Sequence, residues 1–405
     1  MEDGMLKGAL AWPFLRLYFL ALLYFSGNSI LNVIIPLKGE AEGAASTQIG
    51  LIMGAYMFTA MLFRPWAGHF ITKYGSIRIL RVILVVNGIA LIAYPFIGLG
   101  GFAAARIMQG VSTAFFSMAL QIGIIDALPE KDRSQGISMY SLFCYIPGIM
   151  GPLAALGIWR GGEPGYFAWT MIGIALATGI FGYTIKLDQA PQEARQHEKT
   201  TERQNFKSLL LNPFLLKCSL LMIAASVVFG AMTTFMPLYA MNVPEANAGV
   251  YLMLQAAALV VVRFAWKERM PSDGKWHSLF LGVALLLLTV GAAMVAAAAE
   301  WGPIPLYTGA IVIGTSQALI YPTLMSYLSV MLTGPGRNMR IGLFAATSDL
   351  GISLGGVLMG PIADLTSFSI MYATCTVLAA AAAGYAWKAP VRRRTVSEEV
   401  GLERK

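Results

Sequence analysis

The sequence predicts an all-α integral membrane protein whose twelve transmembrane helices form two pseudo-symmetric six-helix bundles. Hydrophobic residues make up 57% of the 405-residue chain and charged residues only 12%, about half the roughly 25% charge of a soluble domain. Apolar runs of about 20 residues, enough to cross about 30 Å of hydrocarbon as helix, recur from Leu17 to Trp387. The second six runs also repeat features of the first six.

The runs cover 17–37, 47–67, 79–99, 102–126, 136–159 and 166–187, then 213–237, 246–266, 277–299, 305–331, 341–363 and 368–388. None alternates apolar and polar residues over about ten positions, as a barrel strand must, so each reads as a helix. The first lacks a small-residue cleavage site behind a short apolar core, so it reads as a retained helix and not a signal peptide. Its Tyr24, Asn28 and Asn32 share one face. The fourth carries Arg106, and Gln109, Gly110, Thr113, Ser117 and Gln121 fall within about 60° of it on a wheel of 100° per residue. Asp126 falls on the opposite side. A buried guanidinium flanked by neutral hydrogen-bonding groups suits a cavity wall, because an intramembrane charge is costly and usually faces a bundle interior. The competing reading is an arginine that snorkels to the interface.

The fifth run holds Pro147, Gly148, Gly151, Pro152 and Gly157, which suit close packing or a hinge. A polar stretch from Lys186 to Lys207 follows the sixth, dividing the chain into a bundle at 1–187, a cytoplasmic linker at 188–210 and a second bundle with a basic tail at 211–405. The seventh run offers Thr233, Thr234 and Tyr239 around Pro237, and the tenth offers Ser316, Gln317 and Tyr321 before Pro322. The eleventh contains Asp349, eight residues in and so about 12 Å deep at 1.5 Å per residue. Hydrocarbon disfavours the charged form of such a carboxyl, which makes it a candidate to take and release a proton. Its face-mates Gly342, Ser353, Gly356 and Gly360 also suit a helix-packing seam.

The repeat is visible in register. Arg64 precedes Gly75 by eleven residues after the second run, and Arg263 precedes Gly274 by eleven after the eighth. Pro147-xxx-Gly151-Pro152 matches Gly351-xxx-Gly355-Gly356. The two offsets, 199 and 204, nearly agree. Paired halves of this kind mark secondary transporters, whose substrate site lies between the repeats.

The net charge of +8 does not point to nucleic acid, because its placement follows the membrane. With the N-terminus inside, only Lys38 and Arg160 of the 29 Lys and Arg residues fall in outer loops. That bias puts both termini in the cytoplasm. Cys144, Cys218 and Cys375 lie in separate helices and His69, His197 and His277 in separate connectors, so neither a metal site nor a cofactor is expected. No paired acids or histidine cluster sit at one depth, which argues against a membrane enzyme. A monomer is expected.

At these residues the chain resembles the major facilitator superfamily over its whole length. Gly68 to Arg78 resembles the family's loop signature. Arg106-Ile-Met-Gln109-Gly110 resembles its fourth-helix signature, and Gly148-Ile-Met-Gly151-Pro152 the fifth-helix signature of proton-driven exporters. The loop signature's usual Asp is Thr72 here, and Asp273 is only a loose equivalent, so Arg64 with Asp126 is expected to supply the gate pair. Arg64-Pro-Trp66, Thr113-Ala-Phe-Phe-Ser117, Gly123-Ile-Ile-Asp126 and Asp349-Leu-Gly-Ile-Ser-Leu-Gly-Gly356 are similar to a narrower family, the staphylopine exporters. That resemblance implies proton-coupled export of a metal-free opine metallophore. Arg106 would grip a substrate carboxylate and Asp349 exchange the proton. Tyr24, Asn28, Asn32, Gln109, Thr113, Ser117, Gln121, Gln317 and Tyr321 would line the site. Arg64, Gly68, Gly75, Asp126, Gly148, Gly151, Pro152, Arg263 and Gly274 would gate it. The alternative is a multidrug antiporter that exchanges lipophilic compounds for protons.

Overall fold

The computed structural model describes residues 8–185, 212–266, 269–271, 275–332 and 337–388. The linker, Gly274, Asp273 and the basic tail lie outside the described residues. Twelve helices among the described residues are long and apolar enough to cross a membrane. In chain order they are α1 (Trp12–Ala41), α2 (Ser46–Tyr74), α3 (Ser76–Ala93), α4 (Leu99–Ala127), α5 (Glu130–Arg160), α6 (Pro164–Tyr183), α7 (Pro213–Tyr239), α8 (Ala248–Ala265), α9 (Ser278–Trp301), α10 (Pro303–Met331), α11 (Arg337–Leu365) and α12 (Phe368–Lys388).

Several helices outrun their apolar cores, since an apolar run records only what faces hydrocarbon. The correction matters most for Asp349. Because α11 begins at Arg337, Asp349 lies twelve residues along it, about 18 Å at 1.5 Å per residue, and not the shallower eight. Helix starts follow local chemistry. The Asn212 side chain accepts from the N–H groups of Phe214 and Leu215 at α7, and Asn247 accepts from Gly249 and Val250 at α8. Both satisfy donors that a helix N-terminus leaves unpaired. Gly75 joins α2 to α3 at φ +86°, a conformation that a side chain would strain.

Helices α1–α6 pack mainly among themselves, as do α7–α12, while α2 lies along α11, α5 along α8, and α1 touches α7. An even number of crossings leaves the start of α1 and the end of α12 on one side of the bundle, here called the terminal side. On the opposite side a single hydrophobic core runs through both halves, joining Ile34, Ile49 and Phe102 to Phe235, Met236 and Leu306. On the terminal side the first half has a separate core around Tyr18, Leu84, Phe116 and Ile124. The halves are therefore fused at one end and parted at the other.

Glycines make the fusion close. A Cβ on Gly50 would strike the carbonyl oxygen of Gly356, and one on Gly54 would come within 2.9 Å of the Ser353 carbonyl oxygen. The Ser353 hydroxyl donates to the Gly54 carbonyl at 2.9 Å. At the rim, the Asp364 carboxylate accepts from the N–H groups of Ser46 and Thr47 at 2.7 and 2.8 Å. A carboxylate from α11 thus caps the positive end of α2.

Candidate functional site

A cavity of about 470 Å³ lies between the halves on the terminal side of this seam. Its lining brings together Arg64, Gln121, Arg263, Gln317, Tyr321 and Asp349, six of the residues singled out from sequence. It also includes Tyr145, Tyr140 and Ser348, which sequence reasoning passed over. A smaller cavity of about 190 Å³ continues from it, lined by Asn32, Gly148, Pro152, Gln255 and Gln317 among others.

Two arginines cross between the halves here. Arg64 on α2 reaches Asp349 on α11, with Nε and Oδ2 2.7 Å apart. This corrects the expected pairing of Arg64 with Asp126. The reason is geometric: α2 lies directly along α11, so the carboxylate that the Arg64 side chain meets belongs to the other half. On the opposite flank, an Arg263 terminal nitrogen donates to the Tyr145 hydroxyl at 2.5 Å, and its guanidinium also lies 5.1 Å from the Tyr145 ring centre. Arg263 has no carboxylate partner among the described residues; its Nε, like those of Arg64 and Arg106, is buried outside hydrogen-bond geometry.

Arg106 does not snorkel. It is 0% exposed, and its two terminal nitrogens donate to the side-chain oxygens of Asn28 at 2.7 Å and Asn32 at 2.9 Å. The Tyr56 ring lies 5.3 Å away, within cation–π range. The half-buried α1 amides therefore give the buried α4 guanidinium two neutral acceptors, one for each terminal nitrogen. The guanidinium sits behind the cavity wall instead of projecting into it; of the three residues, Asn32 lines the smaller cavity.

The rest of the α4 stripe divides. Thr113 shares its hydroxyl with Tyr24 at 3.1 Å and Tyr56 at 3.0 Å, and Gln109 accepts from Tyr94 at 2.7 Å. These links lie within the first half and fix α4 against its neighbours. Ser117 and Gln121 lie beside Tyr140 of α5, and Gln121 and Tyr140 both line the cavity. Gly151 holds α5 against Ser29 of α1, whose hydroxyl donates to the Pro147 carbonyl at 2.7 Å. Gly68 faces Met118 of α4. Asp126 lies away from the cavity lining.

Halves fused at one end around a polar cavity, with helix pairs crossing in matched positions, form the architecture of a rocking transporter. The Major Facilitator Superfamily model matches residues 17–332. The chain belongs to the Major Facilitator Superfamily. Among its relatives, the Staphylopine export protein of Staphylococcus aureus (strain Mu50 / ATCC 700699) is 53% identical over 380 residues, covering 92% of this chain and 95% of that one. Multidrug resistance protein 1 of Bacillus subtilis (strain 168) is 22% identical over 385 residues, covering 90% and 94%. Similar solved structures include a D-xylose-proton symporter (TM-score 0.74, 14% identity, 93% of this chain and 96% of that one). A bacterial homolog of the human lysosomal transporter Spinster gives a TM-score of 0.71 at 12% identity, covering 92% and 95%. Major Facilitator members are multi-pass membrane transporters of small molecules, and the twelve spans fit that role.

Proposed function

We propose that this protein exports a metal-free, staphylopine-like opine metallophore across a bacterial plasma membrane by proton-coupled alternating access. The observation that carries the reading is the charge inventory of the site. Arg64, Arg106 and Arg263 lie in or directly behind the cavity wall, against the single carboxylate of Asp349. Two guanidinium groups without a carboxylate partner favour an acidic substrate, because an opposing charge offsets the desolvation of each. The exporter relative supports the choice among acids. A lipophilic drug would leave both charges unanswered, and the multidrug relatives are more distant.

The biased placement of Lys and Arg puts the terminal side in the cytoplasm, so the cavity faces the pool from which an exporter loads. Asp349 is the proton site in this reading. Its protonation removes the charge that holds Arg64 and loosens a tie between α2 and α11, coupling proton entry to movement of the halves. Deleting the gene should raise intracellular metallophore several-fold under zinc limitation. In vesicles with an imposed pH gradient, Asp349→Asn should abolish proton-driven flux while sparing substrate exchange. Unchanged metallophore with new drug sensitivity would overturn the substrate, and proton-driven flux surviving Asp349→Asn would overturn the proton site.

A further inference from the structure

The two arginines that bridge the halves are repeats of one another, but only one of them meets an acid. Arg64 and Arg263 are 199 positions apart, and Tyr145 and Asp349 are 204 apart, the same offsets that relate the paired halves elsewhere. The structure places them accordingly: α2 reaches α11 through Arg64 and Asp349, and α8 reaches α5 through Arg263 and Tyr145. Both contacts line one cavity, with Tyr321 within electrostatic reach of all four side chains. At the first contact the arginine Nε faces a carboxylate oxygen at 2.7 Å. At the second the guanidinium meets only the neutral Tyr145 hydroxyl, and no carboxylate lies within ion-pair distance of it among the described residues. A guanidinium that lines a cavity without a carboxylate to offset its charge favours an acidic ligand there.

We propose that Arg263 binds a carboxylate of the transported substrate, which takes the place that Asp349 fills for Arg64. One terminal nitrogen of Arg263 is already committed to the Tyr145 oxygen. That contact leaves the edge formed by Nε and the other terminal nitrogen for a two-pronged grip on a carboxylate. The Tyr145 hydroxyl accepts from Arg263 and so keeps its own proton to donate to the same carboxylate. Gln317 lines both cavities; its oxygen accepts from Gln255 at 3.3 Å, which leaves its amide N–H groups as further donors. Substrate binding then completes the twofold pattern, giving each half one bridged arginine.

This inference borrows its preferred probe from the function proposed above, but not its chemistry. The test uses the full chain in detergent or lipid nanodiscs and two kinds of probe: staphylopine, and citrate as a plain polycarboxylate, each against its methyl esters. Wild type should bind the free acids and lose at least tenfold in affinity for the esters. Arg263→Gln should lose at least tenfold for the acids and no longer distinguish acid from ester. Tyr145→Asp supplies the missing carboxylate from the protein itself, building a second copy of the Arg64–Asp349 pair. It should therefore compete with substrate and lose at least tenfold, whereas Tyr145→Phe should lose about threefold. If the Arg263–Tyr145 contact served only to tie helices, Tyr145→Asp would leave binding intact and Tyr145→Phe would weaken transport as much as Arg263→Gln. That result would overturn the proposal, as would wild type that binds no free acid in preference to its ester. Citrate bound through Arg263 with staphylopine ignored would support this site and overturn the metallophore. Staphylopine bound equally by wild type and Arg263→Gln would do the reverse.

Discussion

Arg106 shows how one side chain can be central without touching the cavity. Its fork joins two amides one helical turn apart on α1, a span that a single ammonium cannot reproduce. Arg106→Lys is therefore expected to melt earlier than wild type in detergent, with a stability loss of about 1.5–3 kcal/mol, the range for a hydrogen bond to a charged group. Adding Asn28→Ala to it should cost little more, because both changes remove the same contact; additive losses would show that the two act apart. The helical wheel revealed the stripe, but a wheel cannot tell a face turned to a cavity from one turned to a neighbouring helix. Thr113 and Gln109 belong to the second kind. Asp349 was legible as an intramembrane acid, but its partner was not, since the ion pair spans 285 positions and depends on α2 lying beside α11. Arg64→Asp with Asp349→Arg should recover folded yield that either single change loses, while a swap of Arg64 with Asp126 should not. Equal recovery by both swaps would reject the assignment.

At the scale of elements, the contact of α2 with α11 and the contact of α5 with α8 join the halves. Gly356 and Gly360 on α11 were readable as a packing face from their spacing, and their backbones do lie against Gly50 and Ser46 of α2. Asp364 was not readable: an acid at the end of an apolar run looks like a solvated charge, and only the fold reveals it capping the N-terminus of α2. Asp364→Ala should weaken this rim contact and Gly50→Val should hold the backbones apart. Spin labels placed across the outer ends of α2 and α11 should therefore report a larger share of long distances in both variants. Unchanged distance distributions would mean that the seam is held elsewhere. Tyr145 escaped notice for a different reason. A lone tyrosine on a helix carries no signal by itself, yet the 204-residue offset from Asp349 marks it once the repeat is taken seriously.

For the whole molecule, the number of helices and their division into halves were legible because hydrocarbon thickness and a repeat leave direct marks in a sequence. Which ends of the halves meet was not, because the apolar pattern within each half does not depend on it. A rocking mechanism requires the fused end to part in every cycle. Cysteines at Ser46 and Asp364 joined by a short crosslinker should stop transport while leaving binding from the terminal side within about twofold of wild type; continued transport would show that the halves do not rock about this contact. The composition of that seam also governs how readily it lets go. Large apolar side chains would have to be wetted at each opening, at about 25 cal/mol for every Å² exposed. That cost falls on the apolar cluster around Phe235 and Met236, whereas the glycines and serines between α2 and α11 have almost no rotamers to reorder when the helices meet again. The contact thus divides its labour: the small residues of α2 and α11 set how closely the halves fit, and the apolar cluster beside them sets what it costs to part them.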